Sequence, residues 1–497
     1  MADMKTLAKD TAIYGLSSII GRFLNYLLVP IYTYKIAVAS GGYGVITNLY
    51  AYTGLFFAIL TYGMETTFFR FANKEDEDPK LVFSTVLRMV GTTSLLFVAL
   101  VIGFIGPISS AMGYPEYPSY IWTMAIVVAL DAFQAVLFSY LRYSKRPLKF
   151  AALKLLFIGL NIGLTLIFFV LLPWLYGKNP DLWGKFYNPG VGVGYVFYIN
   201  LFCTSLVTFF FGKELRGIGY GFDKNLCKRM LSYSWPILIL SVAGVLNQTA
   251  DKILFPKVYP GPDANVQLGI YGAVVKIAMI MALITQAFRY AYEPFVFGSS
   301  REKDSKETYA KGLKYYIIFT LLAYLCVMGY INILRHFIHS DYWDARIVPI
   351  VMAAELMMGV YFNLSFWYKL TDKTYWGAIF AGIGCAVLVA INVLLVPKYG
   401  YIACAWGGFA GYGISMVLSY LMERKYYPIN YPMKEIGLYT LLAAVLFVGI
   451  TFSNKYLSFW PAILVNTLLV LVFCAYIVKK DLPLAEIPVI GKYFKRK

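Results

Sequence analysis

Apolar stretches of about twenty residues follow one another along almost the whole chain, and this constrains the fold more than any motif does. Such a stretch, nearly free of charge, crosses a hydrocarbon core as a helix, because lipid offers no partner to an unpaired backbone N–H or C=O. About fourteen can be marked: 11–37, 43–69, 81–107, 118–142, 149–172, 191–212, 228–255, 268–297, 311–333, 345–369, 374–396, 400–422, 434–452 and 459–478. The chain therefore reads as an all-α polytopic membrane protein with about fourteen transmembrane helices. Composition agrees, since 60% of the 497 residues are hydrophobic and only 14% are charged, outside the range of soluble domains.

The net charge of +18 does not point to nucleic acid, because the basic residues form short clusters between apolar runs rather than one continuous face. Alternate connections are rich in Lys and Arg, such as Lys74 and Lys80, then Arg142, Lys145, Arg146 and Lys149, then Arg301, Lys303 and Lys306. By the bias of basic loops toward the cytoplasm, both termini are expected there. The first helix is expected to remain in the mature protein: residues 1–10 are too polar, and the span after them too long, for a cleavable leader. Six scattered cysteines suggest neither a zinc site nor a disulfide framework. His336 and His339, beside Asp341 and Asp344, read as a solvated loop end rather than a metal site.

An internal repeat organises the helices. The segment beginning at Tyr43-Gly44 aligns without a gap with the one beginning at Tyr271-Gly272, and Glu65 and Glu293 then fall in register, as do Asp76 and Asp304. Further along, Arg142 matches Lys369 and Asn161 matches Asn392 at similar offsets. An even number of crossings separates equivalent points, so the halves are parallel repeats, an arrangement that puts a transporter's substrate path between them near the midplane. The expected division is a six-helix lobe at 1–218, a second at 219–427, two further helices at 428–480 and a basic tail at 481–497.

Several ionisable groups lie within these apolar runs, where each costs roughly 2.5–3.5 kcal/mol near the bilayer centre unless paired, interfacial or facing a polar cavity. Helix 1 carries Ser18, Arg22 and Asn25 along one face, and helix 2 ends with Glu65 and Arg70. Helix 7 holds Asn247, Gln248, Asp251 and Lys252, and helix 8 holds Lys276, Gln286, Arg289 and Glu293. Arg70 reads as an interfacial anchor, Lys252 as a cation snorkelling to the outer interface, and Arg289 and Glu293, one turn apart, as a pair able to neutralise each other. Arg22 and Lys276 have no acid one turn away on their own helices, which makes them the sharpest candidates for an anion-binding cleft. Asp131, beside Gln134, and Glu355 are acids on equivalent helices with two readings open, coupling to protons or sodium and helix–helix hydrogen bonding; Glu65 and Glu293 join them as ion-coupling candidates. Trp174, Tyr176, Trp183 and Tyr187, in the outward connection 173–190, read first as an interfacial aromatic belt and second as stacking surfaces for sugars.

The stretches "KDTAIYGLSSIIGRFLNYLLVPIYTYKI", "YGMETTFFRF", "YLRYSKRPLKF" and "INVLLVPKYGYIACAWGGFAGYG", in this order and with this duplication, resemble the polysaccharide transporter branch of the multidrug/oligosaccharidyl-lipid/polysaccharide (MOP) exporter superfamily over nearly the whole chain. The resemblance implies two six-helix lobes in a V around a central cleft, and alternating access that flips an undecaprenyl-diphosphate-linked oligosaccharide across the bacterial inner membrane. It implies no enzymatic activity and no cofactor beyond a coupling proton or sodium ion. It gives Arg22 and Lys276 to the pyrophosphate, with Asn25, Arg70, Lys252 and Arg289 as further substrate contacts, and helices 13 and 14 to the lipid tail. Membrane lipids, a polysaccharide polymerase and chain-length machinery are the partners it suggests. Two rivals remain: a cation-coupled multidrug exporter, for which the basic cleft is unsuited, and a membrane polymerase or ligase, for which the outer loops are short. An ATP-driven pump is disfavoured because no phosphate-binding G-x-x-x-x-G-K-[ST] motif occurs.

Overall fold

The computed structural model describes residues 20–21, 23–24, 26–299, 305–371 and 373–481. Its elements, numbered along the chain, are helices α1 (Leu28–Lys35), α2 (Gly42–Ala72), α3 (Pro79–Gly103), α4 (Pro118–Tyr143), α5 (Pro147–Lys178), α6 (Gly194–Phe209) and α7 (Lys224–Val258). They continue as α8 (Ala264–Ser299), α9 (Ser305–Gly329), α10 (Val348–Leu370), α11 (Tyr375–Tyr399), α12 (Tyr401–Tyr426), α13 (Met433–Tyr456) and α14 (Phe459–Lys480). Among the described residues there is no strand. Among the described residues twelve helices are long and apolar enough to cross a membrane, and α6 with its continuation Gly212–Tyr220, bent by 64°, makes a thirteenth. These thirteen match the spans expected from the second onward, while most of the first, 11–37, and the tail beyond Asp481 lie outside the described residues.

Helix ends follow local chemistry. Asp78 caps α3 by accepting from the Lys80 N–H at 3.0 Å, with Pro79 at the first helical position, and Asp223 caps α7 by accepting from the N–H groups of Asn225 and Leu226. Within α2 the backbone breaks at Tyr62, whose φ of 31° is left-handed, and resumes at Met64, so Glu65 opens a new short helical segment.

One difference from the sequence reading concerns α5. The span was expected to end at 172 with a loop from Pro173, but the helix runs through Pro173 to Lys178. It does so by widening into a π-helical turn at Ile167–Leu171, which accommodates a ring that would otherwise meet the carbonyl four residues back.

The chain divides into two compact units, Met1–Ala273 with Ala381–Gly408, and Val274–Phe380 with Phe409–Lys497. The first has a core where α2, α3, α4 and α7 converge, around Phe68, Phe83, Val86, Leu137, Leu141 and Met230, all essentially inaccessible. Phe83 stacks on Tyr140 at 4.0 Å between centroids and Phe138 meets Phe211 edge-on at 5.0 Å. In lipid, such close fit rather than water expulsion holds helices together.

The second unit has an aromatic cluster of Tyr361, Trp367, Tyr368 and Phe380, and separately docks α13 and α14 on α9. The outer faces of α13 and α14 carry exposed Leu438, Leu441, Val445, Val448 and Phe452, and Leu464, Leu468 and Leu471, at helical spacing suited to lipid contact.

Candidate functional site

Arg22 and Asn25 lie outside the described residues, as does the side chain of Glu293. The remaining sequence candidates fall into three groups, two in the first unit and one in the second.

The first group gathers near the basic end of α2 and α4. Glu65 accepts from the Arg142 guanidinium at 3.0 Å and from the Ser139 hydroxyl at 3.3 Å, while Arg142 also donates to Ser139 at 3.0 Å. Arg70 lies over the Tyr233 ring with its guanidinium carbon 4.2 Å from the centroid, in keeping with an anchoring role. Deeper along α4, Asp131 accepts from Thr204 of α6 at 3.5 Å, and neighbouring Gln134 donates to the Thr204 carbonyl and the Thr208 hydroxyl. Lys154 of α5, which sequence reasoning did not single out, puts its ammonium 4.0 Å from the Phe138 centroid and within the fields of Asp131, Glu65 and Arg142. Lys154 is the common member: the Glu65–Arg142 pair acts on it from one side and Asp131 from another.

The second group lies where α2 meets α7 and the start of α8. Lys252 pairs with Asp251 at 3.0 Å and donates to the Gln248 carbonyl at 2.9 Å, and the Tyr271 hydroxyl donates to Asp251 at 2.6 Å. The charge of Lys252 is therefore compensated in place. Asn48 joins α2 to α7 by donating to the Lys252 carbonyl at 2.7 Å, and it accepts from the Tyr114 hydroxyl at 2.9 Å.

The repeated Tyr-Gly pairs mark the closest approach of these helices. A Cβ on Gly44 would fall 1.8 Å from the Asn265 carbonyl oxygen, and one on Gly272 would fall 2.4 Å from the Thr47 hydroxyl oxygen. Only glycine permits such a crossing. Counting from the two Tyr-Gly pairs, Asn48 is the first-half equivalent of Lys276: each lies five residues after its tyrosine, at 48 − 43 and 276 − 271. The first repeat thus has a buried neutral amide where the second has a half-buried cation on α8.

In the second unit, Arg289 of α8 lies over the Phe362 ring of α10 at 4.7 Å. Glu355 of α10 is half-buried, and its charge reaches Tyr316 of α9.

Other pairs that sequence reasoning missed staple the basic ends of helices. Glu214, almost completely buried, accepts from Arg146 at 3.2 Å and Lys149 at 2.6 Å. Lys314 of α9 bridges Glu435 of α13 and Asp481 just after α14. Among the described residues no three metal-ligating side chains converge; His339 faces Asp341 at 3.6 Å in the connection between α9 and α10.

Several solved structures share this fold. The lipid II flippase MurJ in an inward closed conformation superposes with a TM-score of 0.70 at 15% identity, over 94% of this chain and 98% of that one. An inward-facing multidrug resistance transporter of the MATE family gives 0.60 at 15% identity, over 84% and 94%. A MOP superfamily transporter from Pyrococcus furiosus, described as having a binding pocket of reversed polarity, gives 0.51 at 14% identity, over 84% and 95%. No curated protein sequence matches significantly. The fold is thus that of MOP superfamily transporters. A family model described as "Polysaccharide biosynthesis protein" matches residues 7–289, more than half of the 497-residue chain. This multi-pass membrane protein belongs to the polysaccharide biosynthesis protein family.

Proposed function

We propose that the protein is a flippase that moves an undecaprenyl-diphosphate-linked oligosaccharide from the cytoplasmic to the outer leaflet of a bacterial inner membrane, for O-antigen, capsule or exopolysaccharide synthesis. The observation that carries this reading is the union of a polysaccharide biosynthesis family match with the fold of a lipid-linked-precursor flippase. In this reading the lobes 1–218 and 219–427 alternate access around a central cleft, both termini are cytoplasmic, and α13 and α14 guide the polyprenyl chain.

Arg22 and Lys276 bind the diphosphate, whose oxygens match guanidinium and ammonium donors. Asn25, Arg70 and Arg289 assist at the margins, and Lys252 contributes only if its pairing with Asp251 is exchanged for substrate. The group formed by Glu65, Arg142, Lys154 and Asp131, together with Glu355 and Glu293, carries coupling to protons or sodium. A polysaccharide polymerase and its chain-length regulator take the product.

The test is flipping of a fluorescent undecaprenyl-diphosphate oligosaccharide in proteoliposomes. Lys276→Ala should lower the rate by at least about tenfold, the loss of one charge-assisted contact of roughly 1.5–3 kcal/mol, at unchanged abundance. Lys276→Glu should be worse, since repulsion replaces attraction. Full flipping by Lys276→Ala would remove that residue from the site, and no flipping by the parent across several glycans would sink the reading.

A further inference from the structure

At the ends of the helices remote from the basic connections, the first unit forms a half-open cavity of about 850 Å³. This falls within the roughly 300–1,000 Å³ of small-molecule sites. Its lining is unusual for a membrane protein's outer rim. Tyr117 and Tyr120, at the start of α4, are parallel with centroids 5.0 Å apart and planes 10° apart; Tyr187 and Tyr195, before and within α6, are parallel at 5.5 Å and 14°. Trp174, near the end of α5, adds a further ring, as do Tyr114, Phe168 and Phe169.

The platforms are held in place. The Tyr195 hydroxyl donates to the Asn188 carbonyl and accepts from its N–H at 2.8 Å, the Asn188 side chain accepts from Gly190 at 2.8 Å, and Asn179 caps the turn beginning at Pro180 by accepting from Leu182. The π-helical turn in α5 is what carries the helix past Pro173 and so sets Trp174 at this wall. An interfacial belt spreads its rings around the perimeter toward lipid headgroups. Here the rings line one concavity, and ordering them beforehand removes much of the entropic cost of binding.

We infer that this cavity is a subsite for neutral pyranose units of an oligosaccharide. The C–H faces of a pyranose are weakly positive and stack on the negative faces of aromatic rings. The polar groups at the wall, Lys35, Glu116, Ser40 and Asn265, offer donors and acceptors to hydroxyls. Lys35 and Glu116 are the charged lining residues and balance each other, and Lys178 is spent on one face of Trp174 at 3.7 Å, so the wall suits the sugar end of a lipid-linked glycan rather than its diphosphate. The inference rests on the proposed glycan substrate and adds to it a place where sugar is held on the far side from the basic loops.

The test reads sugar binding without transport: saturation-transfer difference NMR of the full chain in nanodiscs with free maltotriose, chitotriose and a set of mixed hexose and N-acetylhexosamine trisaccharides. At least one should receive saturation at its pyranose C–H protons. Tyr117→Ala and Tyr187→Ala should each weaken its apparent affinity by at least about fivefold, whereas Tyr187→Phe, which keeps the ring, should retain it. No transfer to any sugar would overturn the assignment, as would transfer that both alanine variants leave unchanged, or equal loss in Tyr187→Phe and Tyr187→Ala. These probes carry neither lipid nor phosphate, so failure here with flipping intact removes the subsite alone, and failure of flipping with sugar binding intact removes the flippase reading alone.

Discussion

The crossing of α2 with the start of α8 and the docking of α13 and α14 on α9 solve the same problem by opposite means. At the crossing, backbone approaches backbone: the Gly44 position leaves no room for a methyl group against the Asn265 carbonyl, and the Gly272 position none against Thr47. At the docking surface, side chains do the joining. Lys314 bridges Glu435 and Asp481 at the basic end, and Asn332, Asn454 and Asn466 share hydrogen bonds at the other. Close steric fit tolerates no substitution, because carbonyl and helix cannot move independently. Polar joints can be removed one at a time, each for a modest loss, since the separated helices find other partners in the membrane.

The largest effect should come from Gly44→Ala. The added methyl meets backbone rather than a flexible side chain, so the cost should reach or exceed the usual 1–3 kcal/mol of overpacking. Thermal unfolding in detergent should show a clear loss relative to the parent. Gly159→Ala, within α5, where a Cβ meets nothing within 4 Å, is the matched control and should be neutral or slightly stabilising. Equal behaviour of the two variants would end the steric side of the comparison.

The crossing was partly legible in the sequence, for a physical reason. The Tyr-Gly pairs that reveal the repeat stand where a side chain would collide, so the chemistry that forces glycine also makes the pattern visible. Spans were legible because lipid leaves no alternative to a helix. Lys154 was not, because a lysine seven residues beyond Pro147 merges with the basic cluster at the helix start; only the packing of α4 and α6 shows that it faces Asp131. Lys314 was hidden by distance along the chain, its partners lying 121 and 167 residues away. The π-helical turn was hidden because proline at 173 signals an end unless the preceding turn widens.

Next in size is Lys314→Met, which leaves two carboxylates without their shared cation. The expected cost is about 1–3 kcal/mol, below that of a fully buried pair because the Glu435 side chain is 39% exposed. It should appear as faster hydrogen exchange at the basic ends of α13 and α14, with exchange in α3 and α4 unchanged.

The pH dependence has a definite sign. Burial works against the charge of Asp481, but hydrogen bonds from Lys314 and Tyr439 hold its carboxyl below the ordinary value of 3.8. A depressed folded value means stabilisation that is complete above the unfolded value and lost as pH falls through the folded one. Exchange at these ends should therefore be insensitive to protonation of Asp481 from neutral pH down to about 4, once intrinsic rates are corrected, and should rise only below that. A rise already at pH 6 would show that another group holds the joint.

Asn466→Leu should have the smallest effect. The Asn466 side chain is fully buried and donates to the Gly329 carbonyl at 2.8 Å, where α9 ends, and to Asn454 at 2.9 Å. Hydrogen bonds between membrane helices average about 0.6 kcal/mol and reach about 1.7. A loss near 1 kcal/mol in an SDS titration is therefore expected, with leucine keeping the heavy-atom number and branching of asparagine so that no void opens. The double variant with Lys314→Met decides how the helix pair is held. The two joints sit at opposite ends of α13 and share no partner, so their costs should add within about 0.5 kcal/mol. A larger coupling would mean that α13 and α14 dock as one rigid body, so that loosening either end frees both, and polar docking would then resemble the steric crossing in all but its chemistry.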